Sequence, residues 1–182
     1  MKIILGITGA SGAIYAQRIL EKLSKIDSIE VSMVMTKDAK TVWEYELQNT
    51  DYLKVKAKNY DIHDFFSPMA SGSASFDGMI VCPCSMGSMG KIAHGIADNL
   101  LTRAADVMLK EKKKLILVVR ETPYNLIHLE NMTKLAQAGA TILPATPSFY
   151  SKPINITDLI DTVIDRALQN FGVPVDSYKW GE

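Results

Sequence analysis

A chain of 182 residues, 47% of them apolar and 22% charged, has the size and composition of one globular domain with a substantial core. Twenty basic residues against twenty acidic ones leave no net charge, which excludes a global field for recruiting nucleic acid or a membrane surface. No apolar run is long enough for a membrane span and the amino terminus carries no cleavable leader pattern, so the expected location is cytoplasmic.

The first element is an apolar run, Ile3, Ile4, Leu5 and Ile7, that meets a glycine-rich turn with glycines at 6, 9 and 12. Ile14, Tyr15, Ile19, Leu20 and Leu23 then recur at helical spacing. A strand turning on small residues into a helix points backbone N–H groups at the positive helix end, where phosphates tend to sit. The spacing is Gly-x-x-Gly-x-x-Gly and departs from the dinucleotide fingerprint, so the turn suggests a phosphate without naming its owner. A second strand over 29–36 ends on Thr36 and Lys37, where an NAD-binding fold would place an acidic residue for the ribose. A hydroxyl and a cation suit a phosphate instead, either the 2′-phosphate of NADP or that of a mononucleotide.

Residues 38–47 read as a helix carrying Glu44 and Glu46, and the pattern weakens from 48 to 77. The small polar stretch 67–75 can be a plain connection or a loop that lines a site. A third strand, 78–84, runs straight into a second small-residue turn, Ser85, Met86, Gly87 and Ser88, that opens a helix. Two such turns in one parallel sheet meet at its carboxyl edge, the ligand crevice of doubly wound folds. In an extended strand Cys82 and Cys84 face the same way, too close in sequence for an unstrained disulfide, and their expected role is packing, with no metal.

Asp98 or Asn99 caps a helix reaching about 112, on which Arg103, Asp106 and Lys110 share a face. That face reads either as an Asp106–Lys110 surface pair or as two cations turned toward an anion. A fourth strand, 115–119, delivers Arg120 and Glu121 to the carboxyl edge, where charged residues are placed for a site rather than a core. A helix over 125–138 with Gly139 beyond its end, a fifth strand over 140–145 and a last helix from Asn155 or Thr157 complete the pattern. Tyr150 lies in the loop before that helix and Arg166 off its apolar stripe. The tail 172–182 ends in aromatic residues, Tyr178 and Trp180, which suits packing on a neighbouring subunit. The fold class expected is α/β, a single-domain doubly wound parallel sheet in a Rossmann- or flavodoxin-like three-layer sandwich.

Four stretches together resemble the UbiX-type flavin prenyltransferases: TGASGA at 8–13, CPCS at 82–85, LTRAADV at 101–107 with LKE at 109–111, and VRETP at 119–123. HLENM at 128–132 and the Phe149–Tyr150 pair support the match. The resemblance covers nearly the whole chain. It implies transfer of a dimethylallyl group from dimethylallyl monophosphate to reduced FMN, at N5 and then C6, with no metal. It also implies a homododecamer with sites between subunits, and a UbiD-type decarboxylase that receives the prenylated FMN. By position it assigns Gly9, Ala10, Ser11, Thr36, Ser85, Met86, Gly87, Ser88 and Arg120 to FMN. Tyr150, Arg166, Lys110, Arg120 and Ser71 go to the prenyl phosphate, and Trp180 comes from another subunit. Glu121 matches an acid–base residue; Ser11, Glu46 and Lys110 join it as catalytic positions. Two other readings stand beside this one, an FMN-dependent cysteine-type decarboxylase and a non-catalytic FMN-binding subunit.

Overall fold

The computed structural model describes residues 1–179 and 181. Six parallel strands form one sheet in the order β3-β2-β1-β4-β5-β6. They are β1 (Lys2–Ile7), β2 (Glu30–Met35), β3 (Lys58–Tyr60), β4 (Gly78–Cys84), β5 (Lys114–Val119) and β6 (Thr141–Pro144). Their residues alternate between two apolar layers. Ile3, Leu5 and Ile7 of β1 pack toward helices α1 (Ala13–Leu23) and α6 (Ile156–Phe171), while Ile4 faces α3 (Met86–Ala93) and α4 (Leu100–Lys110). Helix α2 (Lys37–Leu47) joins the first layer through buried Trp43, and α5 (Leu126–Gln137) joins the second through Leu135. Both faces are covered, as parallel sheets require.

The helix boundaries follow from caps written in the sequence. Asn99, Asn125 and Asn155 each accept a hydrogen bond from an N–H three residues on, and Gly139 takes the left-handed φ of 100° just past α5. Arg18 of α1 grips Asp161 of α6 with two nitrogens, at 2.9 and 2.8 Å, and Lys22 sits 2.7 Å from Asp165. Paired forks of this kind fix the two neighbouring helices in register.

Two expectations from the sequence are corrected. The short edge strand β3 lies inside the weak stretch 48–77; its three residues are too few to show an alternation. Cys82 and Cys84 face opposite layers, Cys82 toward α1 and α6, Cys84 toward α3 and α4. The register of β4 against β5 shifts between Val81 and Cys84, so the two-residue alternation breaks there. Both thiols are free and buried; burial pushes Cys84 up to about 12 and Cys82 well above the ordinary thiol value.

Candidate active site

Chain direction splits between β1 and β4: strands β2 and β3 lie on one side, β5 and β6 on the other. A crevice at the carboxyl ends of the strands opens at such a divide. The turns that leave β1 and β4 flank it, and Thr8 fastens them together. Its hydroxyl donates to the Pro83 carbonyl at 2.7 Å and accepts from the Ser85 N–H at 2.8 Å, while its own N–H reaches the same carbonyl at 3.3 Å. Thr8 is 1% exposed, so a hydroxyl there must find partners inside the protein. Thr8 is not among the site residues that the sequence singles out. A lone hydroxyl at the end of an apolar strand was the available signal.

The β1–α1 turn needs its glycines. A Cβ on Gly9 would stand 2.5 Å from the Cβ of Asp38, so α2 begins directly against this turn. Gly12 has φ 107°, a conformation that side chains rarely adopt. Helix α2 then runs alongside the turn, because Glu46 near its far end touches Gly12 and Ala13. The Glu46 carboxylate accepts from the Gly12 N–H at 2.9 Å and from the Ala13 N–H at 2.8 Å. The N–H groups that suggested a phosphate at this helix end therefore already face an anion of the chain. Burial pushes the Glu46 carboxyl up, but the Ser11 hydroxyl, the two N–H groups and Arg120 together hold it below the usual carboxylate value.

Arg120 comes to the same place from the end of β5, its Nε donating to the Ser11 carbonyl at 3.0 Å. Tyr15 joins them unannounced by the sequence. Its ring edge lies 2.8 Å from where a Gly12 Cβ would be, and its half-buried phenol is raised by burial and by Cys82 and lowered by Arg120. Thr36 caps α2, accepting from the Ala39 N–H at 3.1 Å, and its own N–H donates to the Ile7 carbonyl at 3.0 Å. Glu121 follows Arg120, with one carboxylate oxygen accepting from the Thr122 N–H at 3.0 Å.

The second turn is open where the first is closed. Ser85 caps α3, accepting from the Ser88 N–H at 3.3 Å, and the two hydroxyls lie 3.2 Å apart. A Cβ on Gly87 would meet nothing within 4 Å. Hydroxyls, the start of α3, open room at Gly87 and one guanidinium form a donor set suited to a phosphate-bearing ring system such as FMN.

Not every residue picked from the sequence gathers here. Lys110 ends α4, and the helix of a parallel crossover ends at the amino edge of the sheet. The six residues of β5, roughly 20 Å of strand at ~3.3 Å per residue, separate that edge from Arg120. Ser71 is there too: the Gly72 backbone lies against the side chains of Lys110 and Glu111, which form an ion pair. The expectation that Lys110 and Ser71 converge with Arg120 on one sheet edge is therefore corrected for a single protomer. Arg103 is structural, bonding the Ala70 carbonyl at 3.0 Å and Asp106 at 2.7 Å. Arg166 lies on the outer face of α6 and lines a groove of about 670 Å³ with Thr146, Ser148 and Tyr178. Tyr150 is exposed in the loop between β6 and α6. Trp180 lies outside the described residues.

Sheet order, crevice and donor set define a flavin-binding α/β protein, and the profile of the Flavoprotein family matches residues 1–168. Within that class the chain belongs to the UbiX flavin prenyltransferase family. Flavin prenyltransferase UbiX of Methanocaldococcus jannaschii is 46% identical over 185 residues, spanning 100% of this chain and 99% of the relative. A dodecameric FMN-dependent UbiX-like decarboxylase from Escherichia coli O157:H7 superimposes with a TM-score of 0.96 at 40% identity, over the full length of both chains. AnUbiX (PadA1), solved with FMN and dimethylallyl pyrophosphate, matches with a TM-score of 0.89 at 39% identity, over 98% of each chain.

Proposed function

We propose that this protein is a flavin prenyltransferase that transfers a dimethylallyl group from dimethylallyl monophosphate to reduced FMN. The observation that carries the reading is the junction of Arg120 with the Ser11 carbonyl beside Glu46. It gathers three family positions at the sheet edge, in a chain 46% identical to a named flavin prenyltransferase. Bound reduced FMN supplies the nucleophilic ring nitrogen and carbon.

The remaining chemistry belongs to the chain. The turn 9–11, Thr36, the Ser85–Ser88 turn and Arg120 hold the flavin and set its face toward the crevice. Cleaving the allylic C–O bond sends an electron pair onto the departing phosphate, which Arg120, Arg166, Lys110 and the Tyr150 hydroxyl stabilise as fixed charges and donors. Since Lys110 lies at the far edge of its own sheet, it reaches this phosphate from a neighbouring copy. The tail bearing Trp180 approaches likewise and offers an aromatic face to positive charge on the five-carbon fragment. Ring closure at C6 releases a proton, taken by Glu121 or by the released phosphate. The assembly is a homododecamer, like the dodecameric Escherichia coli relative. Its product goes to a UbiD-type decarboxylase, and the free thiols of Cys82 and Cys84 suit a reducing, cytoplasmic setting.

A decarboxylase name attached to the Escherichia coli relative motivates the second reading, direct decarboxylation by bound FMN. That reaction would need an acid–base histidine; His94 lies at the far end of α3, His63 is exposed in the loop beyond β3, and His128 is engaged by the Asn125 N–H in the capping box of α5. Anaerobic incubation with reduced FMN and either the monophosphate or the diphosphate donor tests the proposal. Recovery of a flavin heavier by one dimethylallyl unit with the monophosphate is expected. Unmodified flavin with both donors sinks it, and Arg166→Ala is expected to raise KM for the donor while leaving the FMN Kd in place.

A further inference from the structure

Helix α1 begins without a cap of its own. Gly12 occupies the capping position with no side chain to offer, and the first turn of the helix holds no acidic residue. The missing group comes from 34 residues away, where Glu46 in the last turn of α2 satisfies the Gly12 and Ala13 N–H groups with one carboxylate. A bidentate anion at a helix start is favoured both by hydrogen bonding and by the helix dipole. The groups facing it are few: Ser11 and Tyr15 on the α1 side, Arg120 from the end of β5, and Asp38 at the start of α2 against Gly9.

We propose that Glu46 is a positioning residue, the cap of α1 supplied from α2, which fixes the Ser11 hydroxyl and the Ser11 carbonyl gripped by Arg120 against the reacting flavin. This deepens the flavin prenyltransferase reading and rests on it. A carboxylate already accepting from two N–H groups is held in its charged form and is a weak base, so its contribution is geometric. Proton transfer stays with Glu121 or the phosphate. The same geometry ties α2 to α1 across the mouth of the site, since α2 touches the turn at both Gly9 and Gly12.

Because the folded carboxyl lies below its ordinary value of 4.5, its stabilisation is present above that value and is lost as pH falls through the folded one. The test melts the flavin-free full chain, wild type against Glu46→Gln and Glu46→Ala, from pH 3.5 to 8, with and without sodium formate. At pH 7 Glu46→Ala is expected to melt roughly 2–6 °C lower, with Glu46→Gln between, and the gap to close in acid. Formate, a free carboxylate, is expected to restore Glu46→Ala and not Glu46→Gln. Single-turnover prenylation is expected to fall by roughly 10²-fold in Glu46→Ala, to recover with formate, and to keep both limbs of its pH profile. Equal melting of all three proteins at pH 7 overturns the cap. Loss of a pH limb, with Glu46→Gln as slow as Glu46→Ala, overturns positioning in favour of proton transfer. The melting arm needs no prenylation, so it decides the cap even if the activity reading fails.

Discussion

The two turns flanking the β1–β4 divide are built alike and hold different things. Both follow a buried strand, both are rich in glycine and serine, and both open a helix at the carboxyl edge. The start of α1 is closed by Glu46, which accepts from Gly12 and Ala13. Among the described residues the start of α3 is capped by its own Ser85, and space at Gly87 is open. A glycine-rich strand-to-helix turn therefore offers a site only where no side chain of the fold has reached it first. The positive end of a helix is filled by whichever anion is nearest, and in α1 that anion is part of the protein.

The contrast can be broken from either side. The largest effect is expected at Gly9. A methyl there would stand 2.5 Å from the Asp38 Cβ and 3.3 Å from its carbonyl carbon, so α2 must move and take Glu46 with it. Gly9→Ala should cost about 3 kcal/mol, seen as a Tm lower by roughly 6–12 °C, and should abolish FMN retention on gel filtration. Thr8→Val keeps the shape of the side chain and removes the hydroxyl that joins the two turns, leaving the Ser85 N–H without its acceptor. A loss of about 1–3 kcal/mol in denaturant unfolding is expected, with weakened FMN binding beside it. The smallest effect has the opposite sign. Gly87→Ala fills empty space in a helix and should raise the Tm of the flavin-free protein by a few degrees, for about 1 kcal/mol. The same methyl should weaken FMN binding, measured by fluorescence titration, because it fills room that the proposed reading gives to the flavin.

Much of this was legible in the sequence. The apolar runs of β1, β2, β4, β5 and β6 show plainly because strands buried on both faces carry little else. The asparagine caps of α4, α5 and α6 are local signals and are read locally. The strand β3 was hidden by its length, and the opposed faces of Cys82 and Cys84 by a register shift that periodicity cannot foresee. At the site, Ser11, Thr36, Ser85, Ser88 and Arg120 could be placed because each lies in a turn or first helical turn that follows the carboxyl end of a strand. Glu46 and Thr8 act through contacts 34 and 75 residues apart in sequence, and only the folded chain brings those partners together. Lys110 shows the converse. Its charge suggests convergence with Arg120, yet helix direction alone carries it to the other edge of its own sheet.

The most direct test of the contrast between the two turns is a crystal structure of the full chain with FMN bound. Glu46 is expected to stay on the Gly12 and Ala13 N–H groups, with the flavin phosphate on the rim between Thr36 and Ser88. A phosphate seated on Gly12 and Ala13, with Glu46 displaced, would contradict it.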